Sequence, residues 1–331
     1  MTDFAMSASA STSASGASQL EVRLRQVRLE ADGIVSYEFV SASGAPLPAF
    51  SAGAHIDLHL PGGMVRSYSL VNDPAETHRY LIAVHRAPDG RGGSDWMHGV
   101  PRVGDPLRVS VPKNDFPLVE NARLSILIAG GIGITPLLSM VRRLNALGQP
   151  WRLHYAARSP QHAAFVGELQ ALAAQGGELE LRFDSSAPRL DIARLVGDAP
   201  ADAHLYCCGP RPMIDDFVAA GASRSESTVH YERFAAGSEA ATAGGFDVVL
   251  QRSGQRLHVL PGKTILDTLL DNGVQVQYSC SAGICGTCRT GVIEGDPDHR
   301  DDYLTDQEKA ENRSIMVCCS GARSRTLVLD L

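Results

Sequence analysis

The sequence predicts a multidomain protein of α/β and β class. It comprises an antiparallel β unit, a doubly wound α/β unit and a C-terminal unit built around a cysteine-rich loop. Three observations carry this reading. From Leu20 to Val119, short runs alternate apolar and polar residues; from Arg123 to Phe234, continuous apolar runs alternate with helical periodicity. Farther on, CSAGICGTC (residues 280–288) places three of the chain's seven cysteines within nine residues. A length of 331 residues also calls for more than one core.

The first unit, residues 20–122, contains EVRLRQVRL, AHIDLHL, RYLIAVHR and DPLRVSVP. In AHIDLHL, Ile56, Leu58 and Leu60 alternate with His55, Asp57 and His59, which predicts a strand with one wet face. LPGG and PDGRGG are turns between runs, and several such strands imply an antiparallel barrel or sandwich. In residues 123–234, LSILIAG has the unbroken apolar character of a parallel strand covered on both faces. GIGITP follows, then LLSMVRRLNALG, with Leu137, Met140, Val141, Leu144 and Leu147 at helical spacing and Gly148 as C-cap. WRLHYAAR, LELRFD and AHLYCCGP predict further strands, and QHAAFVGELQALAAQ a helix. AAGSEAATAGG, residues 235–245, is small and flexible in composition and reads as a linker. Residues 246–331 begin with a hairpin, FDVVLQRSG and QRLHVLPG, and a short helix, TILDTLLDNG, ending at Gly273.

Composition narrows the function. A net charge of −7 argues against a nucleic-acid binder and suits a partner with a basic patch. No run approaches the roughly 18 apolar residues that a bilayer span needs. The start, MTDFAMSASASTSASGASQ, lacks a basic end and an apolar core, so residues 1–19 read as a disordered tail rather than a secretory signal. A cytoplasmic location and free thiols follow as expectations.

Cys280, Cys285 and Cys288 have the spacing C-x4-C-x2-C, with IMVCCS downstream. That is the plant-type [2Fe–2S] pattern, in which soft thiolates hold two irons. Gly283 and Gly286 relieve the crowding of so tight a loop. A zinc site would show paired C-x2-C knuckles or matching histidines, and only one C-x2-C is present. Cys318 and Cys319 are expected on opposite faces of a strand, so that only one reaches the cluster.

Other motifs are weaker singly. In RSYSL, Arg66 suits a phosphate, Tyr68 a planar ring and Ser69 its edge. GRGGS, Gly90 to Ser94, could cradle a phosphate or be a plain turn. GGIGITP, Gly130 to Pro136, stands at a strand-to-helix junction where backbone can approach a pyrophosphate. It departs from G-x-G-x-x-G in having proline at the last position. CCGP ends a parallel strand, where α/β units bind ligands; Cys207 there reads best as a structural buried cysteine.

In this order the motifs resemble the ferredoxin–NADP reductase superfamily, and more narrowly the phthalate dioxygenase reductase and vanillate O-demethylase reductase family. The resemblance covers nearly the whole chain after the tail. It implies an FMN-binding β-barrel, an NAD-binding α/β domain and a β-grasp-like ferredoxin domain that serve a terminal oxygenase, often of Rieske type, in a monomeric reductase. It places Arg66, Ser67, Tyr68 and Ser69 in the flavin motif, with Ser69 near flavin N5. Ala83, Val84 and His85 fall in its second flavin segment, where His85 stands in place of a lysine. Gly92, Gly93 and Ser94 match the flavin phosphate loop, and Gly131, Gly133, Ile134 and Thr135 the nicotinamide–pyrophosphate turn. Cys208 and Gly209 match the nicotinamide wall, and Phe234 the flavin cover. By the same comparison Cys318, with 29 residues between it and Cys288, completes the ligand set Cys280, Cys285, Cys288 and Cys318. Ser69 and Cys208 are the catalytic candidates.

The expected chemistry is hydride transfer from NADH to FMN, then single electrons through the [2Fe–2S] cluster to the oxygenase. Arg158 and Ser159, after the second α/β strand, leave NADPH open, because no acidic residue marks NAD there; the resemblance favours NADH. The competing classes are a self-contained reductase of a small acceptor and a zinc-binding scaffold without flavin. GDPDHRDDYL, residues 295–304, also resembles the family, and its residues read only as a charged surface turn.

Overall fold

The computed structural model describes residues 19–61, 64–87, 92–234, 239–278 and 280–331. Most of the tail, residues 1–18, lies outside them, as do Gly90 and Arg91 of the glycine loop and residues 235–238 of the linker. Among the described residues, the strands gather in three main sheets.

The first sheet contains β1 (Gln19–Ala31), β2 (Ile34–Ser41), β3 (His55–His59), β4 (Val65–Ser69), β5 (Tyr80–His85) and β6 (Pro106–Ser110). Their order is β4-β3-β6-β1-β2-β5, with antiparallel neighbours. A bridge from Leu70 to Ile82 joins the two outer strands and closes the sheet into a barrel. Val22, Leu24, Phe39, Ile56, Leu58 and Ile82 fill it. The wet face expected for β3 is not wet. His55 and Asp57 are buried, because β4 and the Lys113 segment cover them. Asp57 takes hydrogen bonds from Ser67 Oγ (2.6 Å) and Lys113 Nζ (2.7 Å), which offset the cost of burying its charge. A short helix, α1 (Gly93–Gly99), follows the glycine loop.

The second sheet is parallel throughout. β7 (Ser125–Gly130), β8 (Trp151–Ala157), β9 (Glu178–Phe183), β10 (His204–Cys208) and β11 (Val229–Glu232) lie in the order β11-β10-β7-β8-β9. α2 (Ile134–Leu147), α3 (Val166–Ala173), α4 (Ile192–Gly197) and α5 (Arg211–Gly221) cover it. Gly148 caps α2 at φ 66°, as its sequence predicts. The helix expected over residues 161–175 is broken: residues 160–162 form a separate 3-10 turn, and Phe165 adopts φ 62° before α3 begins. This unit shares a core with the barrel. Ala31, Ile34, Val71 and Phe116 pack with Leu127, Ile134 and Met140, and Ser139 Oγ donates to the Asn72 carbonyl at 3.1 Å.

The third sheet orders β12 (Phe246–Leu250), β13 (Arg256–Val259), β14 (Arg289–Glu294), β16 (Ser314–Met316) and β18 (Thr326–Leu329) as β13-β12-β18-β14-β16. β15 (Pro297–Asp298) pairs with β17 (Gly321–Ala322). α6 (Ile265–Asp271) starts with a capping box between Thr264 and Asp267 and packs on the sheet through Ile265, Leu266 and Leu269; α7 (Asp306–Glu311) is similarly capped by Thr305. The later part of the expected linker is held to this unit. Ala241 N–H donates to the Cys319 carbonyl at 2.7 Å and Gly262 N–H to the Thr242 carbonyl at 2.8 Å.

Candidate functional site: two cavities and a thiol cluster

The cysteine loop turns on Gly283 (φ 75°) and Gly286 (φ 76°), with Ser281 also at positive φ. A Cβ on Gly286 would lie 2.2 Å from the Tyr303 ring. The loop folds back so that the Cys280 sulfur accepts from the Ala282 N–H (3.3 Å) and the Ile284 N–H (3.5 Å), while the Cys285 sulfur accepts from the Cys280 N–H (3.5 Å). Cys318 and Cys319 sit in a turn after β16 rather than on opposite faces of a strand. Cys318 lies close enough to Cys280 and Cys288 for its thiol to influence theirs. Cys319 points to the Met316 carbonyl (3.8 Å). Sulfur hydrogen bonds from Cys285 and then Cys318 pull the Cys280 thiol far below its usual range.

Among the described residues, no three His, Cys, Asp or Glu side chains surround a single-ion position. The four thiols are linked through one another, with backbone N–H groups aimed at the sulfurs, and all seven cysteines are free of disulfides. That donor set fits an anionic iron–sulfur group, whose sulfurs such N–H groups stabilise.

GDPDHRDDYL braces this loop, and the expectation of a surface turn holds only in part: Arg300 and Tyr303 are exposed, but Asp301 is not. Asp301 is 2% exposed and accepts from the Leu304 N–H (2.8 Å) and Ser320 Oγ (3.4 Å). Asp302 N–H donates to the Gly283 carbonyl at 3.0 Å. Spacing in the sequence gives no sign of this, because the contacts are with residues distant along the chain.

Against the loop opens a cavity of about 440 Å³, lined by His55, Arg66, Ser67, Ser69, Glu232, Phe234, Cys280 and Cys285, among others. Ser69, at the end of β4, is 6% exposed yet faces it. Gly93 leaves room for Arg66: a Cβ there would stand 2.7 Å from Arg66 Nε. Gly92 takes φ 80°, and Ser94 Oγ accepts from the Ala87 N–H at 3.1 Å. Tyr68 packs against the barrel core, and burial pushes its hydroxyl up to about 12. Glu232, absent from the expected set, also lines the cavity. Its Oε2 has no hydrogen-bond partner, and burial, then nearby Asp115, pushes its carboxyl up to about 8. An arginine beside a glycine void, a hydroxyl and an orphaned carboxyl suit a planar ligand with an anionic tail.

A second cavity, about 660 Å³, runs along the carboxyl ends of the parallel strands. Gly131, Gly133, Gly209, Arg158, Arg211 and Asp184 line it, and Arg233 and Phe234 line both cavities. Gly131 adopts φ 54°, and a Cβ on Gly133 would strike the Cys208 carbonyl at 2.1 Å. The expected site residues do not all reach these cavities. Cys208 is fully buried, and burial drives its thiol well above the usual range, so its side chain forms no wall. Ile134 and Thr135 are buried in the first turn of α2, where Thr135 Oγ1 donates to the Ile132 carbonyl at 2.9 Å. Ala83 and Val84 are core residues, and His85 lines the second cavity rather than the first.

Residues 127–219 match the model of the oxidoreductase NAD-binding domain, and residues 248–323 that of the 2Fe-2S iron-sulfur cluster binding domain. The chain is 50% identical to a phenoxybenzoate dioxygenase subunit beta from Ectopseudomonas oleovorans, over 94% of this chain and 97% of the relative. It is 46% identical to a tetrachlorobenzoquinone reductase from Sphingobium chlorophenolicum, over 95% of this chain and 98% of that one. The solved structure of a phthalate dioxygenase reductase, described as a modular structure for electron transfer from pyridine nucleotides to [2Fe-2S], superposes with a TM-score of 0.84 at 40% identity. It covers 95% of this chain and 98% of its own.

Fold and site together define an electron-transfer oxidoreductase with nicotinamide-binding and [2Fe–2S] domains. The chain belongs to the phthalate dioxygenase reductase and vanillate O-demethylase reductase family, the membership its motif order implies.

Proposed function

We propose that this chain carries electrons from NADH to a terminal oxygenase of the Rieske type, with FMN in the 440 Å³ cavity and NADH in the 660 Å³ groove. Bound there, FMN would supply the chemistry that links a two-electron donor, NADH, to a one-electron acceptor, the [2Fe–2S] cluster. The observation that carries the reading is the smaller cavity itself, where Arg66 and Ser69 of the barrel, Phe234 and two loop cysteines meet.

The remaining roles belong to this chain's residues. Arg66 neutralises the FMN phosphate, beside the N–H groups of Gly92, Gly93 and Ser94. Ser69 donates a hydrogen bond at the ring edge near N5, Ser67 is held by Asp57, and Tyr68 backs the site from the barrel core. Phe234, 41% exposed, covers the ring where the cavities meet. Gly131 and Gly133 let backbone approach the pyrophosphate, and Gly209 keeps the strand end open. Cys280, Cys285, Cys288 and Cys318 hold the cluster. The three functional units are residues 20–122, 123–234 and 246–331. Seven free thiols suit a reducing cytoplasm. Among the described residues, no helix is long and apolar enough to cross a membrane.

Anaerobic NADH titration of the purified holoprotein, followed by mixing with candidate Rieske oxygenases, tests the reading. Flavin and cluster absorption should bleach in turn, and oxygenase reduction should follow. A protein that carries neither chromophore refutes it. Ser69→Ala should slow flavin reduction about fivefold, the loss of one hydrogen bond of about 1 kcal/mol, with cluster absorption intact in stopped-flow traces. A second reading, direct reduction of a quinone, is favoured by the relative named tetrachlorobenzoquinone reductase. Sustained NADH turnover with a quinone, and none with any oxygenase, would select it.

A further inference from the structure

In the sequence, Arg158 and Ser159 occupy the end of β8, where an acidic residue would mark NAD. The fold supplies that residue from the neighbouring strand. Asp184 directly follows β9, and its N–H donates to the Ala157 carbonyl at the end of β8 (3.1 Å). The Ser185 N–H donates to the Arg158 carbonyl, also at 3.1 Å. These two bonds tie the chain beyond β9 to the end of β8, and there Asp184 lines the nucleotide groove with Arg158 and Arg189.

The sheet order β11-β10-β7-β8-β9 puts Phe234, just past β11, and Asp184 at opposite edges. Phe234 stands where the groove meets the flavin cavity, so the nicotinamide end lies on its side. Gly131 and Gly133, the pyrophosphate turn, follow the central strand β7. The end of β9 lies two strand spacings farther, about 10 Å, which is the adenosine side. Among the described residues, the exposed Asp184 carboxylate has no hydrogen bond or ion pair, and neither Arg158 nor Arg189 has an ion pair; Arg211 and Arg233 are both held by Asp215.

We propose that Asp184 is the specificity-determining residue for the nucleotide: its carboxylate accepts a hydrogen bond from the adenosine ribose of NADH and repels the 2′-phosphate of NADPH. The inference rests on the nicotinamide reading above. An ionised carboxylate only accepts, so it suits a 2′-hydroxyl, which donates, and opposes a phosphate of its own charge. Arg158 and Arg189 alone would welcome that phosphate. The carboxylate in the same stretch of groove offsets their field and leaves the choice to hydrogen bonding, for which only the hydroxyl brings a proton.

Calorimetry of the holoprotein with NAD+ and NADP+, which bind without reducing it, reads the preference directly, and kcat/KM for NADH and NADPH reads it in turnover. The wild type should prefer NAD+. Asp184→Asn should bind NADP+ about tenfold more tightly, through lost repulsion, and NAD+ about threefold more weakly, through a weaker hydrogen bond. Asp184→Glu, which keeps the charge, should keep the preference for NAD+. Unchanged cluster absorption in the variants shows that they are folded. Equal binding of the two nucleotides by the wild type, or NADP+ binding by Asp184→Asn no tighter than by the wild type, overturns the assignment. A wild type that binds neither nucleotide overturns the nicotinamide reading beneath it.

Discussion

Glu232 shows how one carboxyl can carry a signature that no motif reveals. In the unfolded chain it titrates near 4.5, and in the fold at about 8, because burial penalises its charged form. Between those values the folded protein keeps a proton that the unfolded chain has lost. Stability therefore falls as pH rises from about 4.5 to about 8, and levels off above. Glu232→Gln should flatten this slope, and urea unfolding of both proteins across that range measures it. A slope that survives the substitution would assign it to other groups. Gly286 makes the opposite case, a residue whose need is legible in the sequence and whose severity is not. Its φ of 76° and the Tyr303 ring 2.2 Å from a would-be Cβ both oppose a side chain. Gly286→Ala should cost at least about 1–3 kcal/mol locally and lower the iron and acid-labile sulfide per chain. Wild-type iron content in that variant would refute the strain argument.

At the scale of elements, the junction of β7 with α2 depends on a close backbone approach. Gly133 sits under the Cys208 carbonyl at the end of β10, a contact that a Cβ would reduce to 2.1 Å. Gly133→Ala should destabilise the α/β unit by about 1–3 kcal/mol through overpacking. It should also raise the NADH KM, read from thermal unfolding and steady-state kinetics together. The glycine was identifiable from its place after an apolar strand. The partner that makes it irreplaceable was not, since Cys208 lies 75 residues away and was expected to face the ligand with its thiol rather than the turn with its carbonyl. The segment 295–304 teaches the same lesson: its charges read as solvated, yet Asp301 is buried as a bracket for the loop.

For the whole molecule, a net charge of −7 predicts how partners meet. If the oxygenase presents a basic face, reduction of the oxygenase should slow as ionic strength rises from about 0.01 M to 0.15 M, where the screening length shrinks from roughly 30 Å to 8 Å. NADH-to-flavin transfer, confined within the protein, should change little. A salt-independent rate between the proteins would exclude electrostatic steering.

Periodicity and spacing alone determined the succession of a β unit, an α/β unit and a C-terminal unit built around a plant-type cysteine pattern, because strand alternation, helical stripes and cluster ligand spacing are local along the chain. The tertiary structure decided what stands against what. It buried the polar side of β3, retired Cys208 to the core, moved His85 to the nucleotide groove, and brought Glu232 and Asp302 beside the site. Those outcomes depend on close packing of segments far apart in sequence, and the energy of a buried charge or a missing Cβ exists only once such neighbours are in place.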